Sequence, residues 1–340
     1  MALPYRRNEV KERSRAEWRG ACNVTLPSFT ADFAGLNEAA IRHDVRRGAE
    51  LGFWGTLVAS ESGTTTDEYC RFMEIAAEAA PPGFKLVHHA SFSTLDEMLT
   101  TARKAEELGF EATLMSYPPT FRPKSAREVV DYTRAYMERT NLATILFAVM
   151  TWGFKSLHPS GFPPDALEEL ARLETAAAVK YEANPPGMPA GLADTLRRCG
   201  PHVLVECPLE QYAPALVEWF GMQWMGTSAY DSFGDRVPRM LRLLHEGKWD
   251  EGMQVYWSYQ AARDAKSQFH ASFAGANLIH RVGWKYMSWL HGFNGGLLRM
   301  PQMRLNPNQM RQLRQGMHAS GFPDLPPDDD GFYTGRIPAT

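Results

Sequence analysis

The chain has few of the residues and motifs that mark metal, nucleotide or disulfide-rich proteins. Its 340 residues include only four cysteines, Cys22, Cys70, Cys199 and Cys207, which lie far apart and form no Cys-x-x-Cys pair. Neither a zinc site nor a disulfide framework is predicted, and a reducing cytoplasm fits this cysteine usage. An HExxH sequence, a P-loop and a GxGxxG sequence are also absent, which agrees with a protein that uses no metal and no cofactor.

Strong net charge and long apolar runs are missing as well. The 36 Lys and Arg residues against 39 Asp and Glu give a formal net charge of -3, which provides no general attraction to nucleic acid or to an anionic membrane. No stretch approaches the length of a membrane span, and the opening MALPYRRNEVKERSRAEW lacks the apolar core of a signal peptide. We therefore expect a cytoplasmic protein that acts on a small molecule, with no nucleic-acid or membrane partner.

The chain does contain an alternation of short β-prone runs and amphipathic segments. The runs are residues 22–29, 54–60, 84–90, 111–117, 142–149, 175–181, 202–207 and 223–229, and the segments between them repeat apolar residues every three or four positions. Three segments end in Leu51-Gly52, Leu108-Gly109 and Phe220-Gly221, where a left-handed glycine is expected to close a helix. Eight such units predict an α/β fold of the (β/α)8 TIM-barrel type.

The remaining segments extend this barrel at both ends. We assign residues 1–20 to an N-terminal extension, 21–248 to the barrel, 249–320 to C-terminal helices packed on it, and 321–340 to an irregular tail. The C-terminal helices carry Trp249, Trp257, Trp284 and Trp289. These aromatic residues are interpreted as core, with a subunit interface or a wall of the substrate pocket as the alternatives.

Lys180 is the most informative single residue. It ends the apolar run Ala176–Val179 and is followed by Tyr181 and Glu182. An ammonium is costly to bury, and the neutral amine that burial favours is the form that attacks a carbonyl to make an imine. Active sites in such barrels lie at the carboxyl ends of the strands, which is where Lys180 falls. We expect it to be a nucleophile; the alternative is a lysine that marks the strand end and reaches solvent.

Several segments of the chain resemble one family of barrel enzymes. They are Val-Lys-Tyr-Glu-Ala around Lys180, VTLPSFTAD at 24–32, YPPTFRP at 117–123 and GFNGGLLRMPQMRLNPNQMRQL at 292–313. They make residues 20–320 similar to the dihydrodipicolinate synthase / N-acetylneuraminate lyase family of Schiff-base aldolases. The resemblance implies that Lys180 forms an imine with pyruvate or a related 2-oxo acid, without a metal. Relatives commonly form dimers paired into tetramers, so it also implies a homo-oligomer.

One departure from the family pattern concerns proton transfer. The family places a tyrosine proton shuttle at the end of the fifth strand, where this chain has Phe147. A phenyl ring cannot carry a proton, so another group must act or the chemistry differs. We take Tyr117 and Tyr181 as the catalytic candidates beside Lys180, with His88, His89 and Glu182 as further possibilities, and keep Phe147 as a substrate-binding residue.

A second departure lies after the second strand. The family's Gly-Thr-Thr-Gly-Glu holds the 2-oxo acid carboxylate, whereas residues 59–66 read Ala-Ser-Glu-Ser-Gly-Thr-Thr-Thr. Donors to an anion remain in this stretch, and a threonine follows the eighth strand; the substrate-binding candidates are Ser60, Ser62, Thr64, Thr65 and Thr227. The alternative for the Ser/Thr cluster is an ordinary helix N-cap ahead of Asp67 and Glu68.

A third departure concerns the second substrate. Met150, Thr151 and Trp152 occupy the region where synthases of lysine biosynthesis place an arginine. An apolar patch with Trp152 suits a bulky or aryl aldehyde, which disfavours lysine biosynthesis and favours the hydratase-aldolase branch. The N-terminal segment 14–29 is similar to the extension of that branch. The chain is thus interpreted as a carbon–carbon lyase of 2-oxo acids, with a dehydratase that uses the same imine, or a catalytically lapsed binding barrel, as alternatives.

Overall fold

A computed structural model describes residues 3–182, 188–274 and 280–338 of the chain. Eight parallel strands form one sheet in the order β7-β6-β5-β4-β3-β2-β1-β8, and the fold is the predicted (β/α)8 TIM barrel. Each predicted β-prone run overlaps one strand. The strands are β1 Gly20–Thr25, β2 Gly55–Val58, β3 Lys85–Ala90, β4 Ala112–Met115, β5 Ala143–Val149, β6 Ala176–Glu182, β7 Leu204–Glu206 and β8 Trp224–Gly226.

Helices connect the strands and continue beyond the last one. They are α1 Val10–Glu17, α2 Glu38–Glu50, α3 Thr66–Ala79, α4 Leu95–Glu107, α5 Ala126–Met137, α6 Pro164–Ala171, α7 Met188–Cys199, α8 Ala213–Phe220, α9 Arg236–His245, α10 Trp249–Ser258, α11 Gln260–Ala274, α12 Arg281–Leu290, α13 Pro307–Ala319 and α14 Asp330–Thr334. Gly52, Gly109 and Gly221 have φ of 83°, 75° and 64°, so the three predicted left-handed glycines are confirmed. None of the described helices is long and apolar enough to cross a membrane.

The chain divides into two compact units. The first comprises residues 1–20 and 85–226, and the second comprises residues 21–84 and 227–340. The first unit contains β3 to β8 with α1 and α4 to α8. The second contains most of β1, all of β2, and helices α2, α3 and α9 to α14.

The N-terminal extension is an integral part of the first unit. The Tyr5 hydroxyl donates to the Glu111 carbonyl at 2.7 Å and accepts from the Ala143 amide at 2.8 Å, which links the residues just before β4 to the start of β5. The ring of Trp18 lies 5.2 Å from that of Trp224, and both side chains are buried. These contacts lie at the amino ends of the strands, the end that contributes stability in such barrels.

The C-terminal helices of the second unit use their aromatic residues in different ways. Trp289 is buried, whereas Trp257 is 60% exposed, so only part of the aromatic set forms core. The tail differs from the irregular segment expected for residues 321–340, because it contains α14. That helix buries Phe332 between Tyr286 and Trp289, with ring centroids 5.3 and 5.8 Å away. The burial of one large ring explains why a Pro- and Asp-rich segment is ordered.

Candidate active site

The carboxyl ends of β5, β6 and β7 bring three side chains together in the first unit. Phe147 pairs with Lys180 across β5 and β6, and Lys180 pairs with Glu206 across β6 and β7. Residues in register on neighbouring parallel strands project from the same face of the sheet. Lys180 is only 4% exposed. The predicted nucleophile therefore lies in a buried setting and does not extend into bulk water.

An aromatic face and a carboxylate surround the amine of Lys180. Its Nζ lies 4.2 Å from the centroid of the Phe147 ring. The same atom lies 3.5 Å from Oε2 of Glu182, whose side chain is 34% exposed. The ring face attracts a cation through its quadrupole, and the carboxylate does so through its charge. Both would stabilise the positive charge of a protonated imine formed on this nitrogen.

Glu206 is the feature of this site that the sequence analysis missed. It is 1% exposed, and neither carboxyl oxygen makes a hydrogen bond of normal geometry within the described residues. Burial raises the pKa of Glu206 well above its ordinary value; the charge of Lys180 and the nearby Gly226 amide oppose this shift in part, and Glu182 adds to it. The sequence signal was a carboxylate ending the apolar run Val203–Val205, as Lys180 ends the run before it.

A group of aromatic rings continues from Phe147. The Trp152 indole N–H donates to the Phe147 carbonyl at 2.8 Å, and the two rings meet edge to face at 5.5 Å. Trp152 is half-buried and contacts Tyr117 with ring centroids 5.7 Å apart. Tyr117 also packs on Phe121, Tyr132, Phe154 and Phe162. The wall next to the Lys180 amine is therefore apolar and aromatic, and the binding of substrate by Phe147 and Trp152 stays a prediction.

The hydroxyls of the two candidate tyrosines lie against helices of the first unit. The Tyr117 hydroxyl bonds to Thr133 Oγ1 of α5 at 2.6 Å, and burial raises its pKa. Tyr181 follows Lys180 directly, so it projects from the opposite face of β6. Its hydroxyl lies against Gly191 of α7 without a hydrogen-bond partner among the described residues, and burial raises its pKa to about 12. Their catalytic role stays a prediction, and this arrangement offers it no support.

The two histidines of β3 face opposite ways. His88 is fully buried, and its ring nitrogens bond to Thr113 Oγ1 and Thr101 Oγ1, each at 2.9 Å. Burial lowers its pKa to about 3, so it stays neutral and structural. His89 is also buried and lies 3.3 Å from Ser116 Oγ through Nε2.

The Ser/Thr candidates for carboxylate binding belong to the second unit. Thr65 is the N-cap of α3: its hydroxyl accepts from the Glu68 amide at 3.2 Å, and the Glu68 carboxylate accepts from the Thr65 amide at 3.0 Å. The helix-cap alternative is therefore observed for Thr65. Thr64 donates to the Ser60 carbonyl at 3.4 Å. Ser62 is buried and its hydroxyl has no hydrogen-bond partner within the described part of the chain.

A buried charged cluster occupies another part of the second unit. Lys285 donates to the Pro27 carbonyl at 2.7 Å and to Ser28 Oγ at 3.1 Å, and burial lowers its pKa to about 8. Asp231 accepts from Ser288 Oγ at 2.6 Å, and burial raises its pKa to about 7. Lys285, Asp231, Ser288 and Asp44 help to line a cavity of about 20 Å³, about the size of one water molecule. Thr227, the remaining predicted residue, is buried just after β8.

Comparisons with known proteins agree with this architecture. Dihydrodipicolinate synthases from Thermotoga maritima and Aquifex aeolicus are 17% and 16% identical, with TM-scores of 0.74 and 0.72; each comparison covers 90% of this chain and 99% of the other. N-acetylneuraminate lyase from Fusobacterium nucleatum is 17% identical with a TM-score of 0.71, over 88% of this chain and 98% of the other. At these identities the likeness establishes the fold alone.

The family assignment comes from the sequence. The model of the dihydrodipicolinate synthetase family matches residues 29–261, well over half of the chain. Members of this family are lyases or synthases of the class I aldolase type, and they bind small 2-oxo acids. The resemblance expected from Lys180 and the flanking segments is therefore confirmed: the chain belongs to the dihydrodipicolinate synthetase family.

Proposed function

We propose that this protein is a carbon–carbon lyase that acts on a 2-oxo acid through an imine on Lys180. The observation that carries the proposal is the buried position of this amine at the carboxyl end of β6, against the ring of Phe147 and beside two glutamates. A buried lysine at the carboxyl end of a barrel strand lies where such barrels carry out their chemistry, which makes its amine a candidate nucleophile. Because the protein's own amine supplies the electron sink, the proposed reaction needs no cofactor.

The chemistry follows from the imine. The neutral amine adds to C2 of the 2-oxo acid, water leaves, and the protonated imine draws electrons from the neighbouring carbon–carbon bond. Loss of the proton from the C4 hydroxyl and cleavage of the C3–C4 bond release an aldehyde and leave an enamine, which takes up a proton at C3 and is hydrolysed to pyruvate. For a 2-oxo-3-enoic acid, addition of water across the C3–C4 double bond first supplies that hydroxyl. The ring of Phe147 faces the nitrogen that carries the positive charge in this sequence, a contact worth about 0.5–2 kcal/mol.

The aromatic wall supports a bulky or aryl aldehyde as the second product. Phe147, Trp152 and Tyr117 contact one another in sequence, starting from the ring that faces the amine. Residues 150–152 include no charged side chain that would select a charged aldehyde. These features support our proposal that the protein acts as a member of the hydratase-aldolase branch. The assignment of Ser60, Ser62, Thr64 and Thr227 to carboxylate binding stays a prediction, as does a homo-oligomeric assembly.

Trapping with borohydride tests the imine. Wild-type protein is incubated with pyruvate and sodium borohydride, digested and examined by mass spectrometry, and we expect one reduced pyruvate adduct on the peptide that contains Lys180. Lys180→Ala should abolish this adduct, whereas Lys155→Ala, a change at an exposed lysine, should leave it intact. Peptides with the buried Lys266 and Lys285 serve as internal controls. An adduct that persists in folded K180A would contradict the proposal.

Product analysis separates the alternatives. With an aryl-substituted 2-oxo-3-enoic acid, release of an aromatic aldehyde together with pyruvate indicates the hydratase-aldolase. Elimination products without carbon–carbon cleavage indicate a dehydratase that shares the imine. A folded wild-type protein that traps no 2-oxo acid indicates a catalytically lapsed barrel, and circular dichroism of the same sample verifies the fold.

A further inference from the structure

Imine chemistry on Lys180 requires a group that gives and takes protons. Most candidate side chains in the first unit have no exchangeable proton, are hydrogen-bonded to other groups or lie on the far side of β6. Phe147 has no exchangeable proton. The hydroxyl of Tyr117 bonds to Thr133, and that of Tyr181 lies on the far side of β6 against α7. Both ring nitrogens of His88 are hydrogen-bonded to threonines. His89 Nε2 lies 3.3 Å from Ser116 Oγ, which leaves Glu182 on β6 and Glu206 on β7 as the candidate groups.

Glu206 has the placement that such a group needs. It lies on β7 in register with Lys180 on β6, so the two side chains project from the same face of neighbouring strands. It is more completely buried than any other carboxylate near the amine, and its oxygens have no hydrogen bond of normal geometry within the described residues. Burial of an unsatisfied carboxyl costs free energy, and native structures retain this cost mainly where the group has a function.

We propose that Glu206 is the acid–base residue of the Lys180 imine and takes the place of the tyrosine that Phe147 has replaced. This inference rests on the proposed function and names the residue that moves its protons. Glu182 is the runner-up, but it is half-exposed and ion-paired with the amine, which suits it to hold charge and not to exchange protons in a dry site.

A single carboxyl group, that of Glu206, can carry every proton that the reaction transfers. Glu206 starts protonated while Lys180 adds to the ketone; the carbinolamine hydroxyl then takes the Glu206 proton and leaves as water, which produces the cationic imine and a carboxylate. That carboxylate next removes a proton, either from C3 of bound pyruvate to give the enamine or from the aldol hydroxyl as the carbon–carbon bond breaks. In cleavage, return of this proton to C3 of the enamine forms the pyruvate imine, whose hydrolysis restores the starting state.

The surroundings of Glu206 favour the protonated starting state. Burial raises its pKa, and the nearby charge of Glu182 acts in the same direction. The charge of Lys180 opposes this shift in the pKa of Glu206 in part. Cys207, the next residue, stays a neutral thiol because burial raises its pKa. Once the imine is cationic, its charge favours the ionised form of Glu206, which is the form that must remove the next proton.

The experiment compares Glu206→Gln with wild type by two readouts. Exchange of the pyruvate methyl protons in D2O, followed by NMR, measures proton transfer at C3; borohydride trapping after long incubation measures how much imine exists at equilibrium. In E206Q we expect exchange to fall by at least about 100-fold, the typical contribution of general acid–base catalysis, with the final amount of trapped adduct preserved. Glu218→Gln, the same change at an exposed position of α8, is the matched control and should exchange at the wild-type rate.

Three outcomes oppose the inference or its basis, and they can be told apart. Exchange at the wild-type rate in E206Q overturns the role of Glu206 while the imine stands. Loss of trapped adduct in folded E206Q also overturns it, because a proton carrier changes the rate and not the equilibrium. Absence of trapping in wild type removes the proposed function itself.

Should E206Q fold poorly, Glu206→Met offers a second test: we expect exchange to be lost while the unfolding temperature holds or rises, because an unsatisfied buried carboxyl is removed. A merely structural Glu206 would give the opposite change in stability.

Discussion

The ring of Phe147 lies 4.2 Å from Nζ of Lys180, on the adjacent strand and in register with it. The residue that replaces the expected tyrosine thus still faces the reactive nitrogen. It offers a π face where the family pattern offers a hydroxyl. Its contribution is therefore electrostatic attraction to a cation, and proton transfer falls to another group.

Phe147→Leu isolates the contribution of the ring. Leucine keeps an apolar side chain at this position but has no π face, so the cationic imine loses about 0.5–2 kcal/mol of stabilisation. We expect the rate of adduct formation with pyruvate to fall by about 2- to 30-fold, since each 1.36 kcal/mol corresponds to a factor of ten. Rapid quenching into borohydride followed by mass spectrometry measures the rate. Phe110→Leu, at a fully buried ring just before β4, is the control, and equal effects of both changes would contradict the assignment.

Tyr117→Phe asks whether that hydroxyl serves structure or chemistry. The change removes a buried hydrogen bond to Thr133 Oγ1. We expect the free energy of unfolding to drop by about 0.5–1.5 kcal/mol, the usual net value of such a bond. Methyl-proton exchange of pyruvate should stay at the wild-type rate, because the hydroxyl is directed to α5. Denaturant titration and the NMR exchange assay on one preparation give both values, and a large drop in exchange would return Tyr117 to the list of proton carriers.

Tyr181 and Gly191 form a pair that can be tested by a double-mutant cycle. A Cβ on Gly191 would overlap the Tyr181 hydroxyl and come within 2.8 Å of its ring carbon Cζ. We expect Gly191→Ala to destabilise the protein in spite of the gain of about 1 kcal/mol in helix propensity. Tyr181→Phe alone should be neutral or stabilising, since the hydroxyl has no hydrogen-bond partner among the described residues.

The double variant decides whether the two changes act through this contact. Removal of the hydroxyl relieves most of the overlap, so the combined loss should be smaller than the loss in G191A, with a coupling energy of about 0.5–3 kcal/mol. Thermal unfolding of the four proteins gives the cycle. Additive effects would show that the hydroxyl does not face α7. A large loss of methyl-proton exchange in Y181F would identify Tyr181 as a participant in the chemistry.

The positions of the strands and helices along the chain could be predicted because the sequence signals for them are local. A short apolar run, a helix of period 3.6 and a glycine such as Gly52 or Gly109 each depend on a few neighbouring residues, and all eight strands are confirmed. The buried position of Lys180 is equally local, because it follows from the apolar run that precedes it. The cap at Thr65 is readable too, since Glu68 stands three residues later.

Which group transfers protons depends on tertiary contacts, so it could not be predicted from the sequence. Whether the hydroxyl of Tyr117 points to the amine or to Thr133 is decided by a side chain sixteen residues away on α5. Among the described residues, the lack of a hydrogen bond of normal geometry at Glu206 depends on all the side chains and backbone groups that surround it. The order of the tail, likewise, depends on the pocket that Tyr286 and Trp289 offer to Phe332.

The buried cluster of the second unit predicts a pH dependence of stability. Burial raises the pKa of Asp231 from 3.8 to about 7, and the groups that act on it are Ser288, Lys266 and Asp44. Between these two values the folded protein keeps a proton that the unfolded chain has released. The stability that Asp231 contributes is therefore fully present below about pH 4 and is lost as the pH rises through about 7.

Asp231→Asn removes this titration while it keeps a side chain that can still bond to Ser288. We expect the unfolding temperature of the wild type, relative to that of D231N, to fall steadily from pH 4.5 to pH 8. At pH 8 the variant should be the more stable protein, because it buries no charge at this position. Thermal unfolding at pH 4.5, 6 and 8 measures the difference, with Asp250→Asn at an exposed site as the control. A difference between wild type and D231N that does not change with pH would show that Asp231 stays ionised in the folded protein, with Lys266 as its counter-ion.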